Sequence, residues 1–286
     1  MAEDEMVWDL SKLVESTAPD AIKAELESRV AEAEKIRDKY HGKIIDLDSQ
    51  GLLEFLERKD AFTLRCEGVA KYCYLLYSAD STLGVAKELH EAARKARMRL
   101  DQALAFIIIE LGRLLAENLS LIQDPLLVEY KHYLEKTLRR VPHILSEAEE
   151  QLIITKDKNG IAAWQLLQSD WLSTRTFEIE IEGKKKTLPY GKIIGLYQSP
   201  NHDLRKLANQ TVYENLGKDE IIWASAVRAV CDDHLQVSKL RKYPTPMTQS
   251  FITNDVTKKT IDSLMKTIEK NVGLYQRYLR LKAKLM

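Results

Sequence analysis

The sequence predicts a mainly α-helical protein with one small β-hairpin. Gly and Pro are scarce, eleven and seven in 286 residues, while Ala, Leu, Glu and Lys abound, a composition that favours long helices joined by short connections. Apolar residues recur at spacings of three and four along most of the chain, the period of a helix with one buried face. One stretch alone switches to period two, Phe177-Glu178-Ile179-Glu180-Ile181-Glu182, and Gly183 turns the chain after it.

The elements follow in order. Pro19 opens a helix with Ile22, Leu26, Val30, Ala33 and Ile36 on one face, ending near Tyr40-His41-Gly42. A second pattern runs from about residue 50 to 77 through Leu53, Leu56, Val69, Cys73 and Leu76, closed by the polar break Ser78-Ala79-Asp80-Ser81. The third is the longest: from Leu83 to Leu115 it carries Ala86, Leu89, Ala93, Ala96, Leu100, Leu104, Ile107, Leu111 and Leu114. Its richest part, 103–109, is bounded by Asp101 and Glu110 and falls far short of the roughly 20 apolar residues of a membrane span, so it reads as a helix buried on several sides.

Helical patterns continue at about 124–139 and after Ser146, where Ser146-Glu147-Ala148-Glu149 has the form of a capping box. A short helix at about 160–172 bears Trp164, Leu167 and Trp171, and a hairpin near 176–189 then caps or bridges the helical layers. Ser199-Pro200 starts a helix with Leu204, Leu207, Val212 and Leu216; Lys218 starts another that runs to about Leu240, broken by Pro244 and Pro246. The last helix begins near Asn254 and carries Ile261, Leu264, Ile268, Val272, Tyr275, Leu279 and Leu285 with no Gly, Asn or Pro stop after it. That uncapped stripe leads to the expectation of a chain that stops inside a domain and self-associates through exposed C-terminal helices.

Charge and cysteine usage narrow the function classes. Lys plus Arg equals Asp plus Glu, 43 each, and the charges are interspersed, which favours neither nucleic acid nor an anionic membrane as partner. The acidic start MAEDEMVWDLSKL has no apolar run of a signal peptide, so a cytoplasmic location is expected. Cys66 and Cys73, about 10 Å apart along one helix, are too distant for a disulfide, and isolated Cys231 completes a set of reduced, mostly buried thiols.

Chemistry-bearing motifs are sparse. Zinc peptidases place two His one helical turn apart with a Glu beside the first, because imidazoles at i and i+4 reach one ion while the Glu activates its water. The nearest approach is His90-Glu91-Ala92-Ala93-Arg94, where a cation occupies the second ligand position and His90 reads as a solvated residue. His132, His143, His202 and His234 are solitary, and Asp232-Asp233-His234 points its neighbours in different directions on a helix. No Gly-rich phosphate loop or G-x-S-x-G elbow occurs, and Lys184-Lys185-Lys186 reads as a polar hairpin tip. No catalytic or metal residue is assigned. Tyr72, Tyr74, Tyr77, Tyr130 and Tyr133 have the rings with polar tips of a peptide groove, or of a helix interface. Arg241-Lys242-Tyr243-Pro244 ends a helix at a forced turn, so Arg241 and Tyr243 either face a cavity or complement the helix dipole.

The order of segments resembles the front of the oligoendopeptidase F group, relatives of thimet oligopeptidase. The resemblance rests on Trp8-Asp9-Leu10-Ser11, the stretch from His143 to Glu150, the Trp164 helix, the Phe177–Leu188 hairpin, Ser199 with His202-Asp203-Leu204-Arg205 and Ala208, Arg241 with Tyr243, and Tyr278-Leu279-Arg280-Leu281-Lys282-Ala283-Lys284. It implies a helical peptidase whose two lobes enclose a channel for short peptides, with zinc held by an H-E-x-x-H that the 286 residues lack. On that resemblance residues 1–190 form an N-terminal lobe with the hairpin, and 191–286 the incomplete start of a catalytic lobe. Arg241 and Tyr243 become candidates for the channel wall, short peptides and the missing C-terminal segment become the partners, and the chain alone hydrolyses nothing. The competing reading is a helical scaffold that binds a peptide without chemistry.

Overall fold

The computed structural model describes residues 9–80 and 83–285; Trp8 and Ser81, like the acidic start read above, lie outside the described residues. It divides into two compact units, Met1–Gln165 and Leu166–Met286. Among the described residues no helix is long and apolar enough to cross a membrane.

The first unit is built on α1 (Pro19–Tyr40), α2 (Ser49–Ala79) and α3 (Gly84–Glu117). Hydrogen bonds from Lys23 to Glu88, Arg37 to Ala103 and Gly42 to Glu110 climb both helices together, so α1 and α3 run in one direction. The Tyr40–Phe55 ring contact and the Arg65–Glu32 ion pair set α2 antiparallel to α1. The apolar stripes read from the sequence meet here in two clusters. Ile22, Leu26 and Val30 pack with Val69, Cys73 and Leu89; Ile36, Tyr40, Phe55 and Leu56 pack with Phe106, Leu111 and Leu115. Pro19 stands at the start of α1 as expected, and Asp48 caps α2 through the Gly51 amide at 2.8 Å.

The segment expected as one helix at 124–139 is two elements. Asp124 accepts from the Leu126 amide and from the Ser49 hydroxyl, which starts a tight 3-10 turn at Pro125–Tyr130 before α4 (Lys131–Arg140) begins. The capping box forms as read: Glu149 accepts from the Ser146 amide at 2.9 Å and opens α5 (Glu147–Asn159).

Helix α5 is fastened to α1 and α3 at both ends. Glu147 accepts from Arg37 at 2.6 Å and lies 2.9 Å from the His41 ring, while Lys158 donates to Glu91 at 3.1 Å. Burial pushes the Glu147 carboxyl up, but the hydrogen bonds from His41 and Arg37 outweigh it and hold the group below its ordinary 4.5. A carboxyl with a depressed folded pKa contributes stability that is complete above the unfolded pKa and lost as pH falls through the folded one. Glu147→Gln is therefore expected to cost about 1 kcal/mol at neutral pH. Urea titrations at a series of pH values should show the gap between variant and parent closing as pH falls below 4.5.

Helix α6 (Ile161–Thr174) begins in the first unit and, within the second, leads into β1 (Thr176–Ile181) and β2 (Lys184–Pro189), paired antiparallel with Phe177 opposite Leu188 and Ile181 opposite Lys184. Glu182 and Gly183, at φ 55° and 72°, make the two-residue turn with both central residues left-handed, the geometry that matches strand twist. Alternate residues Phe177 and Ile179 are buried, and they face Ile193 of α7 (Tyr190–Gly195) and Ala208 and Val212 of α8 (His202–Gly217). The hairpin thus lids a third core made with the helices that follow it. The compact unit itself begins at Leu166.

Of the later boundaries, the helix starts expected at Ser199-Pro200 and near Asn254 differ from the structure, and the helix end expected near Leu240 does not. Asn201 caps α8 through the Asp203 and Leu204 amides, so the helix starts after Ser199-Pro200. Helix α9 (Glu220–Leu240) ends before Pro244: the Tyr243 amide reaches the Ser238 carbonyl and the Lys242 amide the Lys239 carbonyl, with Lys242 left-handed at φ 55°. This is a Schellman closure with Lys in the position Gly usually takes. A short α10 (Thr248–Thr253) occupies what read as a break, and α11 (Lys258–Leu285) starts four residues after the expected Asn254. Fifteen-residue windows of periodicity do not register a helix six residues long.

Candidate functional site

The residues singled out from the sequence separate into three places. The His90 segment lies on α3 facing α2 and α5. His90 is half-buried rather than solvated: its ring stacks on Tyr77 with centroids 4.3 Å apart and planes 19° from parallel. Burial first, then the Arg94 guanidinium, holds the imidazole below its ordinary pKa. Glu91 is paired with Arg94 at 3.3 Å and Lys158 at 3.1 Å, and Arg94 also donates to the Lys158 carbonyl. Each member of the motif-like run is thus used in joining helices, and the second ligand position holds a committed guanidinium, so these residues do not fit zinc.

The tyrosines do not form one surface. Tyr72 and Tyr77 are buried, and Tyr130 and Tyr133 pack against the larger core cluster. Tyr130 sits beside Asp60 and Glu57; burial and those carboxyls push its hydroxyl up to about 12. Tyr74 alone is well exposed, at 59%. It stands at the edge of a half-open cavity of about 390 Å³ between α2 and α3, floored by Leu26 of α1 and lined by Phe62, Cys66, Ala93, Ala96 and Leu104. The cavity exists because α3 presents alanines where α2 presents Cys66 and Ala70, side chains too short to meet between the two core clusters. Its rim charges are matched within the chain: Arg97 with Asp101 at 2.9 Å, Lys71 with Glu67 at 2.6 Å, Arg29 with Glu25 at 3.1 Å. Burial raises the Cys66 thiol, which removes it as a nucleophile. The cavity can hold an apolar side chain and offers no group that cuts bonds.

Arg241 and Tyr243 belong to the second unit, at the Schellman closure of α9. Both are partly exposed, and both backbone amides are spent on the helix end, Arg241 on the Val237 carbonyl at 2.9 Å. Lys242 between them is left-handed, which turns the chain sharply at this point. His234, six residues before the end of α9, lies 2.9 Å from the Pro246 carbonyl and ties the segment after the turn back onto the helix. Asp232 beside it is exposed and Asp233 half-buried. Cys231 is exposed, unlike buried Cys73. Among the described residues no three His, Cys, Asp or Glu side chains are gathered as a metal-ion group.

One polar feature escaped the sequence reading. Glu110, taken as the limit of an apolar run, is buried at 8% exposure, and its carboxyl oxygens accept from the Gly42 amide at 2.7 Å and the Ile44 amide at 3.1 Å. It closes the turn between α1 and α2, where Gly42 takes φ 77°. The available signal was a single acid interrupting a stripe otherwise apolar on both sides.

Known proteins are similar to the chain in both sequence and fold. The family model described as Oligopeptidase F matches residues 115–177. Oligopeptidase PepF of Bacillus subtilis is 23% identical over 253 residues, which cover 87% of this chain and 38% of the relative. Group B oligopeptidase PepB of Streptococcus agalactiae is 24% identical over 291 residues, 99% of this chain and 47% of the relative. The crystal structure of oligoendopeptidase-F from Enterococcus faecium superposes with a TM-score of 0.77 at 21% identity, covering 93% of this chain and 53% of that one. The chain therefore spans about half the length of the relatives it matches or less. Family model, relatives and fold agree with the resemblance read from the residues: over most of its length the chain is similar to part of the oligoendopeptidases F and has their fold.

Proposed function

We propose that the chain forms part of the wall that encloses short peptides in a peptidase of this family, and that as a 286-residue polypeptide it holds peptides without hydrolysing them. The observation that carries the reading is the fold match over 93% of the chain to a named oligoendopeptidase, together with a sequence that contains no H-E-x-x-H. Zinc, which the resemblance implies, would need an H-E-x-x-H that these 286 residues do not contain. Arg241 and Tyr243 are the wall residues: a guanidinium pairs with a peptide carboxylate and a phenol with a peptide carbonyl, and the closed helix end fixes both.

The holding function is tested by titrating fluorescent peptides of about eight residues into the full chain, with a folded protein of matched charge as control. The expected result is binding of peptide alone, weakened about tenfold by Arg241→Ala with Tyr243→Phe. Binding unchanged in that double variant removes the two residues from the role. The cavity beside Tyr74 favours the second reading, a non-catalytic peptide scaffold: Ala93→Leu would fill it, and loss of peptide binding in that variant alone would favour the scaffold over the channel wall.

A further inference from the structure

The hairpin leaves one strand edge unpaired. Its sheet has two strands; α8 packs along β1, whereas β2 has β1 on one side and runs directly into α7. Pairing is continuous from Ile181 opposite Lys184 to Thr176 opposite Pro189. Beside a two-residue turn the flanking pair exchanges both of its hydrogen bonds, and the exchange recurs at every second pair. Lys184, Lys186 and Leu188 therefore bond to β1, while the backbone amides and carbonyls of Lys185 and Thr187 point away from it. Among the described residues no turn, loop or cap hydrogen bond reaches those four groups. Lys185 and Thr187 are exposed, so the edge is open to solvent.

The side chains along this edge carry one sign of charge. Lys184, Lys185 and Lys186 are all exposed, and among the described residues none of them is ion-paired, even with Glu180 opposite Lys185. Lysines on an edge strand deter a second copy, because antiparallel pairing of two β2 edges sets lysine beside lysine. A strand that carries carboxylates meets the opposite field. The strand already on the inner edge is of that kind, with Glu178 opposite Thr187 and Glu180 opposite Lys185.

We propose that the outer edge of β2 takes an extended acidic peptide segment as a third, antiparallel strand. Antiparallel addition is favoured because each outward residue then exchanges both of its bonds with the residue directly opposite. Read from its N-terminus against Leu188 back to Lys184, the fitting segment has one apolar residue, one β-branched residue and three carboxylates. The apolar residue covers half-buried Leu188, and the carboxylates face the lysines. Its second and fourth residues exchange four hydrogen bonds with Thr187 and Lys185. Backbone pairing supplies affinity that is indifferent to sequence, and the lysines supply the choice of partner. The site uses neither Arg241 nor Tyr243 and goes beyond the channel-wall reading.

Fluorescence anisotropy with a labelled peptide containing Leu-Thr-Glu-Glu-Glu, titrated with the full 286-residue chain, tests it. The expected Kd is on the order of 0.1 mM at low salt, weakened several-fold between about 0.05 and 0.5 M salt. N-methylation of the peptide's Thr and middle Glu removes the amides that face β2 and should weaken binding about tenfold. N-methylation of the first and third Glu, whose amides face away, should leave it within about threefold. Lys184→Glu with Lys185→Glu and Lys186→Glu should abolish binding of the acidic peptide and confer binding of its Leu-Thr-Lys-Lys-Lys counterpart. The milder Lys→Gln set at the same positions should weaken binding about tenfold and keep the circular dichroism of the parent, since all three side chains are exposed. Arg241→Ala with Tyr243→Phe should leave this binding unchanged, which separates the site from the proposed channel wall. No binding up to about 1 mM, equal loss from both N-methyl patterns, or indifference to the lysine variants would overturn the proposal. So would loss of binding in the Arg241 and Tyr243 variant, or self-association of the chain through β2 in place of peptide binding.

Discussion

Replacing Glu110 by Ala is expected to destabilise the chain by about 2 kcal/mol, through loss of the acceptor for a buried amide. Its two carboxyl oxygens are the acceptors for the Gly42 and Ile44 amides, at 2.7 and 3.1 Å. Truncation leaves the amide of buried Ile44, packed near Phe106 and Leu111, with nothing to accept from it, at a cost of about 1 to 3 kcal/mol, whereas the amide of exposed Gly42 can turn to water. Glu110→Gln keeps one acceptor and should lose about half as much. Glu117→Ala, on the same helix but exposed, should stay within about 0.5 kcal/mol of the parent. Urea unfolding followed by circular dichroism separates the three. Equal midpoints for Glu110→Ala and Glu117→Ala would mean that the turn between α1 and α2 does not depend on this cap.

Phe55→Ala is the second large effect, expected at about 3 to 5 kcal/mol. The ring is 1% exposed, packs edge-on against Tyr40 at 4.8 Å, and sits in the cluster that joins α1, α2 and α3. Three helices meet at it, so the cavity left by truncation cannot be closed by moving one of them. Phe55→Leu, which retains most of the volume, should cost less than half as much. Leu64→Ala, exposed on the same helix at 73%, is the matching control and should be near neutral. Loss of less than 1 kcal/mol in Phe55→Ala would show that the cluster relaxes around the gap.

How much of this was legible in the sequence depends on the range of the interaction that decides it. The long helices were, because burial of one face writes a repeat into dozens of residues: Ile22 to Ile36 and Ala86 to Leu114 are buried or half-buried as the spacing implied. The hairpin was, because Phe177 and Ile179 alternate with glutamates and Gly183 supplies the left-handed turn. Contacts between residues distant in sequence were not. Glu110 looked like an interruption, since nothing local announces that a loop 68 residues upstream turns its amides toward it. His90 read as solvated because Tyr77 reaches it from another helix. The tyrosines looked like one cluster because they are close in number, whereas helix direction buries Tyr72 and Tyr77 and leaves Tyr74 on a cavity made by absent side-chain volume. Arg241 and Tyr243 were noticed for the prolines that follow, but Lys242 and the Ser238 and Lys239 carbonyls make the turn.

The central proposal is that this polypeptide, whose fold matches that of an oligoendopeptidase F, holds peptides without cutting them. The direct test is to equilibrate the purified 286-residue chain with zinc, dialyse it, measure bound metal by mass spectrometry, and assay internally quenched peptides with and without chelator. The account predicts no stoichiometric zinc and no cleavage above the blank. One zinc per chain with chelator-sensitive hydrolysis would contradict it.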